Sequence, residues 1–112
     1  MLTLYGINNC DTVKKARRWL EDHGIEYQFH DFRQNGLDIN QLTSWVENLG
    51  WETLVNKRST TWRGLSDKDK NILSKQQAID LLLIHPTLIK RPVVVKNKTV
   101  LVGFNEAEFQ KI

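Results

Sequence analysis

The residue in this sequence best suited to covalent chemistry is Cys10, the only cysteine of the chain. Asn8 and Asn9 favour a loop and are able to cap a helix, so we expect Cys10 in the first helical turn. Unpaired backbone N–H groups point at such a position, and together with the helix dipole and Lys14 they stabilise a thiolate. The charge of Asp11 opposes this effect. The expected chemistry is nucleophilic attack by sulfur.

A second interpretation treats Cys10 as a small buried hydrophobic residue, because free cysteines are often buried. Its place in the chain favours the reactive interpretation. An apolar stretch typical of a strand ends just before it, and a segment rich in Lys and Arg follows. Open α/β sheets bind their ligands at the carboxyl ends of strands, so the thiol is expected at a ligand-binding edge.

The histidines and the tryptophans give weaker indications of a functional role. His30 is expected on the polar face of a strand, and His23 near the end of a helix, where it complements the dipole. One Cys and three scattered His offer no metal-ligand spacing, so no metal site is expected. The tryptophans do not alternate along one strand and are expected to be core or half-buried residues: Trp19, Trp45, Trp51 and Trp62.

The length and composition limit the possible classes of protein. A chain of 112 residues forms one domain with a modest core, and its net charge of +3 does not indicate nucleic-acid binding. The run over 78–84, interrupted by Asp80, is too short to span a membrane, and no secretory signal is visible. One cysteine cannot form an internal disulfide. We therefore expect a cytoplasmic monomer over residues 1–112, without membrane or nucleic-acid partners.

The first part of the chain predicts a strand, a helix and a second strand. The apolar run over 2–7 predicts a buried strand, and the helix after it ends at Gly24. Alternation of apolar and polar residues over 25–30 predicts the second strand. Together they form a right-handed βαβ unit. The helix residues expected to face the sheet are Val13, Ala16 and Leu20.

From about residue 37 to residue 86 the apolar period becomes helical, which predicts an inserted helical subdomain. Helix N-caps are predicted at Asp38, Ser66 and Ser74, and residues 56–64 lack a period and predict a polar loop. The helix after Ser74 is predicted to bury most of its apolar residues, which are Ala78, Ile79, Leu81, Leu82 and Ile84.

The last quarter of the chain returns to β structure. Residues 93–95 and 99–102 flank a polar turn and predict a hairpin, and Asn105 is a plausible cap for a final helix. The order βαβ, helices, ββα predicts an α/β fold with a thioredoxin-like, four-stranded mixed sheet. In this sheet the first strand is central and the hairpin is antiparallel to it.

Three segments carry a resemblance to a known family. They are Leu4-Tyr5-Gly6 through Cys10-Asp11-Thr12 with Lys14-Lys15-Ala16, the Asn56-Lys57-Arg58 loop, and His85-Pro86 with Ile89-Lys90-Arg91-Pro92. The chain resembles the arsenate reductase (ArsC)/Spx family, within it the YffB-type branch. The resemblance implies a nucleophilic Cys10, a cis peptide before Pro92 that leaves neighbouring backbone groups free to pair with a peptide, and glutathione-dependent thiol reduction.

The resemblance also implies roles for individual residues. Arg91 is expected to hold an oxyanion or carboxylate near the sulfur, which suits its fixed fork of donors. Lys57 and Arg58 are expected to face the same cleft. The alternative for all three cations is a solvated surface position, which is usual for Arg and Lys. Asn9, Thr12 and Pro92 complete the expected substrate- or glutathione-binding set.

Two departures from the family pattern reduce the number of functions that the resemblance implies. Arsenate reductases are expected to carry a further arginine where this chain has Gly103, and redox regulators often carry a second cysteine where this chain has Val13. A monothiol reductase remains, with glutathione as co-substrate and no bound cofactor, because no second cysteine can resolve the mixed disulfide. The alternatives are an arsenate reductase and a non-enzymatic, Spx-like regulator that binds RNA polymerase.

Overall fold

The computed structural model describes residues 2–112, which contain a four-stranded mixed sheet in the order β2-β1-β3-β4. β1 is parallel to β2 and antiparallel to β3, and β3 is antiparallel to β4. The predicted α/β, thioredoxin-like sheet with an internal first strand is confirmed. The strands are β1 (Leu2–Gly6), β2 (Tyr27–Asp31), β3 (Val93–Lys96) and β4 (Thr99–Val102).

The helices divide between two compact units, which we call the sheet unit (residues 2–36 and 91–112) and the helical unit (residues 37–90). The insertion was predicted over about 37–86, and the helical unit covers 37–90. The prediction of a single domain stays a prediction. A 3₁₀ turn covers Pro86–Leu88. The α-helices are α1 (Asp11–Asp22), α2 (Phe32–Asn35), α3 (Ile39–Leu49), α4 (Trp51–Leu54), α5 (Thr60–Arg63), α6 (Asp67–Lys70), α7 (Lys75–Ile84) and α8 (Glu106–Phe109).

The core of the sheet unit lies where α1 packs on β1. The predicted inner face of α1 is confirmed, since Val13, Ala16 and Leu20 are fully buried. Gly6 permits this close approach, because a Cβ atom at Gly6 would lie 2.7 Å from Cγ2 of Val13. Trp19 packs edge-on against Phe109 of α8, with ring centroids 5.4 Å apart. The strand that precedes Cys10 is therefore fixed by apolar packing.

The core of the helical unit is built by α3 and α7. Trp45 is 2% exposed and Leu42 and Leu82 are fully buried. The chain segments at 54–56 and 88–90 are joined by a bridge between Val55 and Ile89 and by two backbone hydrogen bonds, of 2.9 and 2.7 Å. These bonds give the polar loop after Val55 a fixed starting point.

Local signals predicted four of the eight α-helix starts in residues 2–112 correctly. The side chains of Asp38, Ser66, Ser74 and Asn105 each accept a backbone hydrogen bond from the first turn of the helix that follows. A carboxylate or hydroxyl oxygen at such a position satisfies an N–H group that has no partner within the helix. These four cap predictions are confirmed.

One detail of the helical unit was predicted wrongly. The segment 56–64 is not all loop, because α5 begins after Ser59, whose hydroxyl accepts a bond from Trp62 N–H. The prediction that the helix after Ser74 buries most of its apolar residues is confirmed, and Ile84, which is 71% exposed, is the exception. It lies about 200° around the helix axis from Leu82, since each residue advances an α-helix by roughly 100°. The apolar residues of α7 therefore extend beyond its buried face.

Within residues 2–112, no helix is both long enough and apolar enough to cross a bilayer.

Candidate functional site

Cys10 occupies the N-cap of α1, where it is half-buried. Its backbone is extended, with φ −96° and ψ 125°, so the helix begins at Asp11 and the prediction of Cys10 inside the first turn is wrong by one residue. Cys10 N–H donates to the carbonyl of Ile7 at 3.4 Å, and the carbonyl of Cys10 accepts from Lys14 N–H at 3.0 Å. The thiol is thereby carried at the positive end of the helix, although it makes no capping hydrogen bond.

The strand register brings Arg91 and Pro92 to the sheet edge that carries Cys10. Tyr5, at the end of β1, pairs with Val93, at the start of the antiparallel β3. The loop that follows β1 and the residues that precede β3 therefore lie at one edge. The predicted cis peptide between Arg91 and Pro92 is confirmed. Arg91 is half-buried, and its action on the sulfur stays a prediction.

Pro92 is buried, and its carbonyl is already used within the sheet unit. Gly103 N–H donates to this oxygen at 2.8 Å. The expectation that backbone groups neighbouring the cis peptide pair with a peptide or glutathione stays a prediction, and the Pro92 carbonyl is not one of the free groups. The bond ties the end of the hairpin to the start of β3.

Sequence reasoning missed the buried acid of this edge, Asp31, which is 5% exposed. It ends β2, and one of its oxygens caps α2 by accepting from Arg33 N–H at 2.7 Å and from Gln34 N–H at 3.3 Å. Its other oxygen accepts from Asn8 N–H at 3.1 Å, two residues before Cys10. The spacing of Asp31 and Gln34 was a readable cap signal, whereas the bond to Asn8 joins residues 23 positions apart.

Asn9 and Thr12 flank Cys10 in the chain and are both exposed. Asn9 lies in the turn before the cysteine, and Thr12 lies in the first turn of α1. Their polar side chains are open to solvent at the start of the helix. Their role in binding stays a prediction.

Lys57 and Arg58 belong to the helical unit and are exposed. Together with Lys90 they line a cleft of about 290 Å³ in that unit. The Lys57 ammonium lies 5.6 Å from the ring centroid of Trp62, and Arg58 N–H donates to the side chain of Asn56 at 3.1 Å. The cleft therefore gathers three cations, while the expected contact of Lys57 and Arg58 with the substrate stays a prediction.

The histidines of the sheet unit, His23 and His30, each donate a hydrogen bond to a backbone carbonyl. His23 donates from Nδ1 to the carbonyl of Trp19 at 2.8 Å and stacks on the Trp19 ring. His30 donates from Nε2 to the carbonyl of Gly36 at 2.8 Å. Among residues 2–112, no three His, Cys, Asp or Glu side chains lie close enough together to hold a metal ion. Cys10, Arg91 and Asp31 are therefore the candidate side chains at the sheet edge that follows β1.

Comparison with known proteins identifies the family. A sequence model of the ArsC family matches residues 5–112, which is nearly the whole chain. The chain belongs to the ArsC family. It is 56% identical over 110 residues to an uncharacterized protein of Haemophilus influenzae, covering 98% of this chain and 96% of that protein.

Two further ArsC-family relationships are informative. The chain is 34% identical to the global transcriptional regulator Spx of Streptococcus mutans, covering 98% of this chain and 81% of that protein. A solved structure named as the YFFB protein superposes with a TM-score of 0.95 at 41% identity, covering 99% of this chain and 97% of that one. The resemblance to the ArsC/Spx family with YffB-type relatives is confirmed.

Two positions where this chain departs from the ArsC pattern have clear structural settings. Gly103 has φ +79°, a left-handed conformation that disfavours an arginine side chain. Val13, which stands where redox regulators often have a second cysteine, is fully buried against Gly6. An arginine at position 103, which the resemblance leads us to expect in arsenate reductases, would therefore be strained on this backbone.

Proposed function

We propose that this ArsC-family protein is a glutathione-dependent thiol–disulfide reductase with Cys10 as its single nucleophile. The observation that carries the proposal is the position of the only cysteine, half-buried at the N-cap of α1. A sulfur at that place is accessible to a disulfide and lies at the end of the helix that favours an anion. Arg91 shares its sheet edge.

The reaction uses one protein thiol and two molecules of glutathione, the first of which arrives bound to the substrate. The Cys10 thiolate attacks the glutathione sulfur of a glutathionylated substrate, forming a Cys10–glutathione disulfide and releasing the substrate thiolate. A second, reduced glutathione then attacks this mixed disulfide as its thiolate. Oxidised glutathione leaves and the Cys10 thiolate is regenerated, so electrons pass from glutathione to the substrate.

Side chains near Cys10 are proposed to bind glutathione. Arg91 offers a planar pair of donors for a carboxylate, and the exposed Asn9 and Thr12 offer polar contacts. We also propose that Lys57 and Arg58 bind acidic groups of the substrate. The proposed compartment is the cytoplasm, where glutathione is abundant and a lone cysteine stays reduced.

The proposal is tested by turnover of a glutathionylated peptide with reduced glutathione, followed by glutathione reductase and consumption of its nicotinamide cofactor. Wild-type protein is expected to accelerate the reaction, and Cys10→Ser is expected to fall to the rate without protein. The free energy of unfolding of Cys10→Ser should stay within about 1–2 kcal/mol of wild type, since a similar-sized group replaces the sulfur. Turnover retained by folded Cys10→Ser contradicts the mechanism.

A regulatory function is the second candidate, and the 34% identity to Spx favours it. In that case the protein docks on a protein such as RNA polymerase, and Cys10 is only a sensor. Binding to purified polymerase that is unchanged in Cys10→Ser, together with no peptide turnover by wild type, would support this candidate over the reductase.

Arsenate reduction is expected to be negligible. A charge-assisted hydrogen bond to the oxyanion is worth about 1.5–3 kcal/mol, so loss of one arginine weakens binding roughly ten- to a hundredfold. Because Gly103 is left-handed, Gly103→Arg is not expected to restore activity. Robust arsenate turnover by wild-type protein, with glutathione and glutaredoxin supplied, would contradict the assignment.

A further inference from the structure

Asp31 is the buried acid of the described residues, and its two carboxylate oxygens contact different parts of the sheet unit. Oδ1 accepts from Arg33 and Gln34 at the start of α2, at 2.7 and 3.3 Å. Oδ2 accepts from Asn8 N–H at 3.1 Å, in the loop that carries Cys10. Burial of a carboxylate is costly unless hydrogen bonds replace its hydration, so these N–H donors help to hold it there.

Asp38 of the helical unit shows that a helix cap does not need the second oxygen. Its Oδ1 accepts from Asn40 and Gln41 at 2.7 and 3.2 Å, which is almost the same geometry as at Asp31. Asp38 is exposed. The bond from Asn8 to Asp31 is therefore additional to capping, and it spans 23 residues of sequence.

The additional bond acts on the turn that presents the nucleophile. Cys10 N–H donates to the carbonyl of Ile7, which closes a turn over residues 7–10 with Asn8 as its second residue. Ile7 is 5% exposed and anchored in the core, whereas the side chain of Asn8 is exposed. The hydrogen bond from the Asn8 amide to Asp31 therefore ties this turn to the end of β2.

We propose that Asp31 is a positioning residue for Cys10, acting through the amide of Asn8. This inference rests on the proposed function of Cys10. The Asp31 carboxylate fixes the turn over residues 7–10, so that the sulfur meets a disulfide with the geometry needed for exchange. Loss of this bond leaves the thiol accessible but poorly oriented, and a misplacement of about 1 Å is enough to slow a reaction substantially.

The test compares Asp31→Asn with Asp38→Asn. In both variants the amide oxygen can keep the cap, but in Asp31→Asn the NH₂ group then faces Asn8 N–H, which loses its acceptor. We expect Asp31→Asn to form the Cys10 mixed disulfide with oxidised glutathione about tenfold more slowly, while Asp38→Asn matches wild type. Alkylation of Cys10 by iodoacetamide, which needs little orientation, should stay close to the wild-type rate in both.

The ratio of these two rates separates positioning from stability. General destabilisation exposes Cys10 and raises alkylation along with the unfolded fraction, whereas mispositioning lowers only the exchange with glutathione. Equal exchange rates in Asp31→Asn and Asp38→Asn would overturn the proposal.

Direct observation of the Asn8 amide keeps the proposal testable in every case. Its hydrogen exchange, followed by NMR, should accelerate at least about tenfold in Asp31→Asn, because the acceptor is lost. If Asp31→Asn does not fold, an ester in place of the Ile7–Asn8 amide can be introduced by ligation at Cys10. It removes the Asn8 donor and weakens the Ile7 carbonyl that accepts from Cys10 N–H, so it should slow the reaction of Cys10 with oxidised glutathione at least as much. Unchanged Asn8 protection in Asp31→Asn, or an unchanged rate in the ester, contradicts the proposal.

Failure of the reductase proposal gives a different result. If wild-type protein forms no glutathione adduct, the reductase proposal falls, and an Asn8 amide that is protected in wild type and released in Asp31→Asn still supports the positioning bond. If wild type forms the adduct and Asp31→Asn forms it as quickly, the positioning role falls and the reductase stands.

Discussion

The sheet unit and the helical unit fix their polar groups in different ways. In the sheet unit, the edge that carries Cys10 is joined by bonds between distant parts of the chain, from Asn8 to Asp31 and from Gly103 to Pro92. In the helical unit, helices start at caps such as Ser74, whose partners lie two or three residues ahead, and an apolar core holds them together. The turn that carries Cys10 is thus held by a residue far away in the sequence, whereas the helix starts of the helical unit are held by their own neighbours.

The largest expected effect on stability concerns the core of the helical unit. Trp45→Ala should lower the free energy of unfolding by about 3–5 kcal/mol, because Trp45 is 2% exposed and its removal leaves a cavity. Urea denaturation followed by circular dichroism measures the change. Leu73→Ala is the matched control, since Leu73 is 76% exposed and should shift stability by less than about 0.5 kcal/mol. A Trp45→Ala loss below about 1 kcal/mol would mean that this unit does not depend on its core.

Two glycines, Gly6 in the sheet unit and Gly64 in the helical unit, are expected to respond differently to replacement by alanine. Gly6→Ala should cost about 1–3 kcal/mol, because the new methyl group would lie 2.7 Å from Cγ2 of Val13. Gly64→Ala should be neutral or stabilise by about 0.4–1 kcal/mol, since its φ is −82° and its nearest contact would be 3.6 Å.

The same denaturation experiment extends to a double variant. Gly6→Ala combined with Val13→Ala should recover part of the loss expected from the two single changes, because the clash involves both residues. Additive losses would show that the close approach of α1 to β1 is not the reason for glycine at position 6.

The smallest of these effects concerns a local cap. Ser74→Ala should destabilise the protein by about 1 kcal/mol, because Gln77 N–H loses its acceptor at 3.2 Å. Ser74→Asp keeps an acceptor at the N-cap and should retain wild-type stability. Equal losses in both variants would show that the hydroxyl acts in some other way than as a cap.

Sequence patterns predicted the parts of this molecule whose causes are local. The caps at Asp38, Ser66, Ser74 and Asn105 were found because a cap and its helix occupy neighbouring positions. The mixed sheet was found because period and order together restrict its topology. The short helix α5 was missed because four residues are too few to show a helical period.

Long-range contacts explain what the sequence did not predict. The spacing of Asp31 and Gln34 indicates only a helix cap, and the pairing of β1 with β2 is needed to bring the second oxygen of Asp31 to Asn8. The occupied carbonyl of Pro92 likewise depends on the register of β3 and β4. The place of Cys10 at the start of α1, in contrast, was predicted from its neighbours to within one residue.

The most direct test of the central claim is the reaction of Cys10 with oxidised glutathione, followed by intact-protein mass spectrometry. Wild-type protein should gain the mass of one glutathione at Cys10, at least as quickly as a cysteine in an unstructured peptide, because the thiol is half-buried at the start of α1 and attacks a disulfide as the single nucleophile. Reduced glutathione should remove the adduct, and Cys10→Ser should gain no mass. Absence of the adduct in wild-type protein, under conditions that modify the peptide, would contradict a nucleophilic role for Cys10.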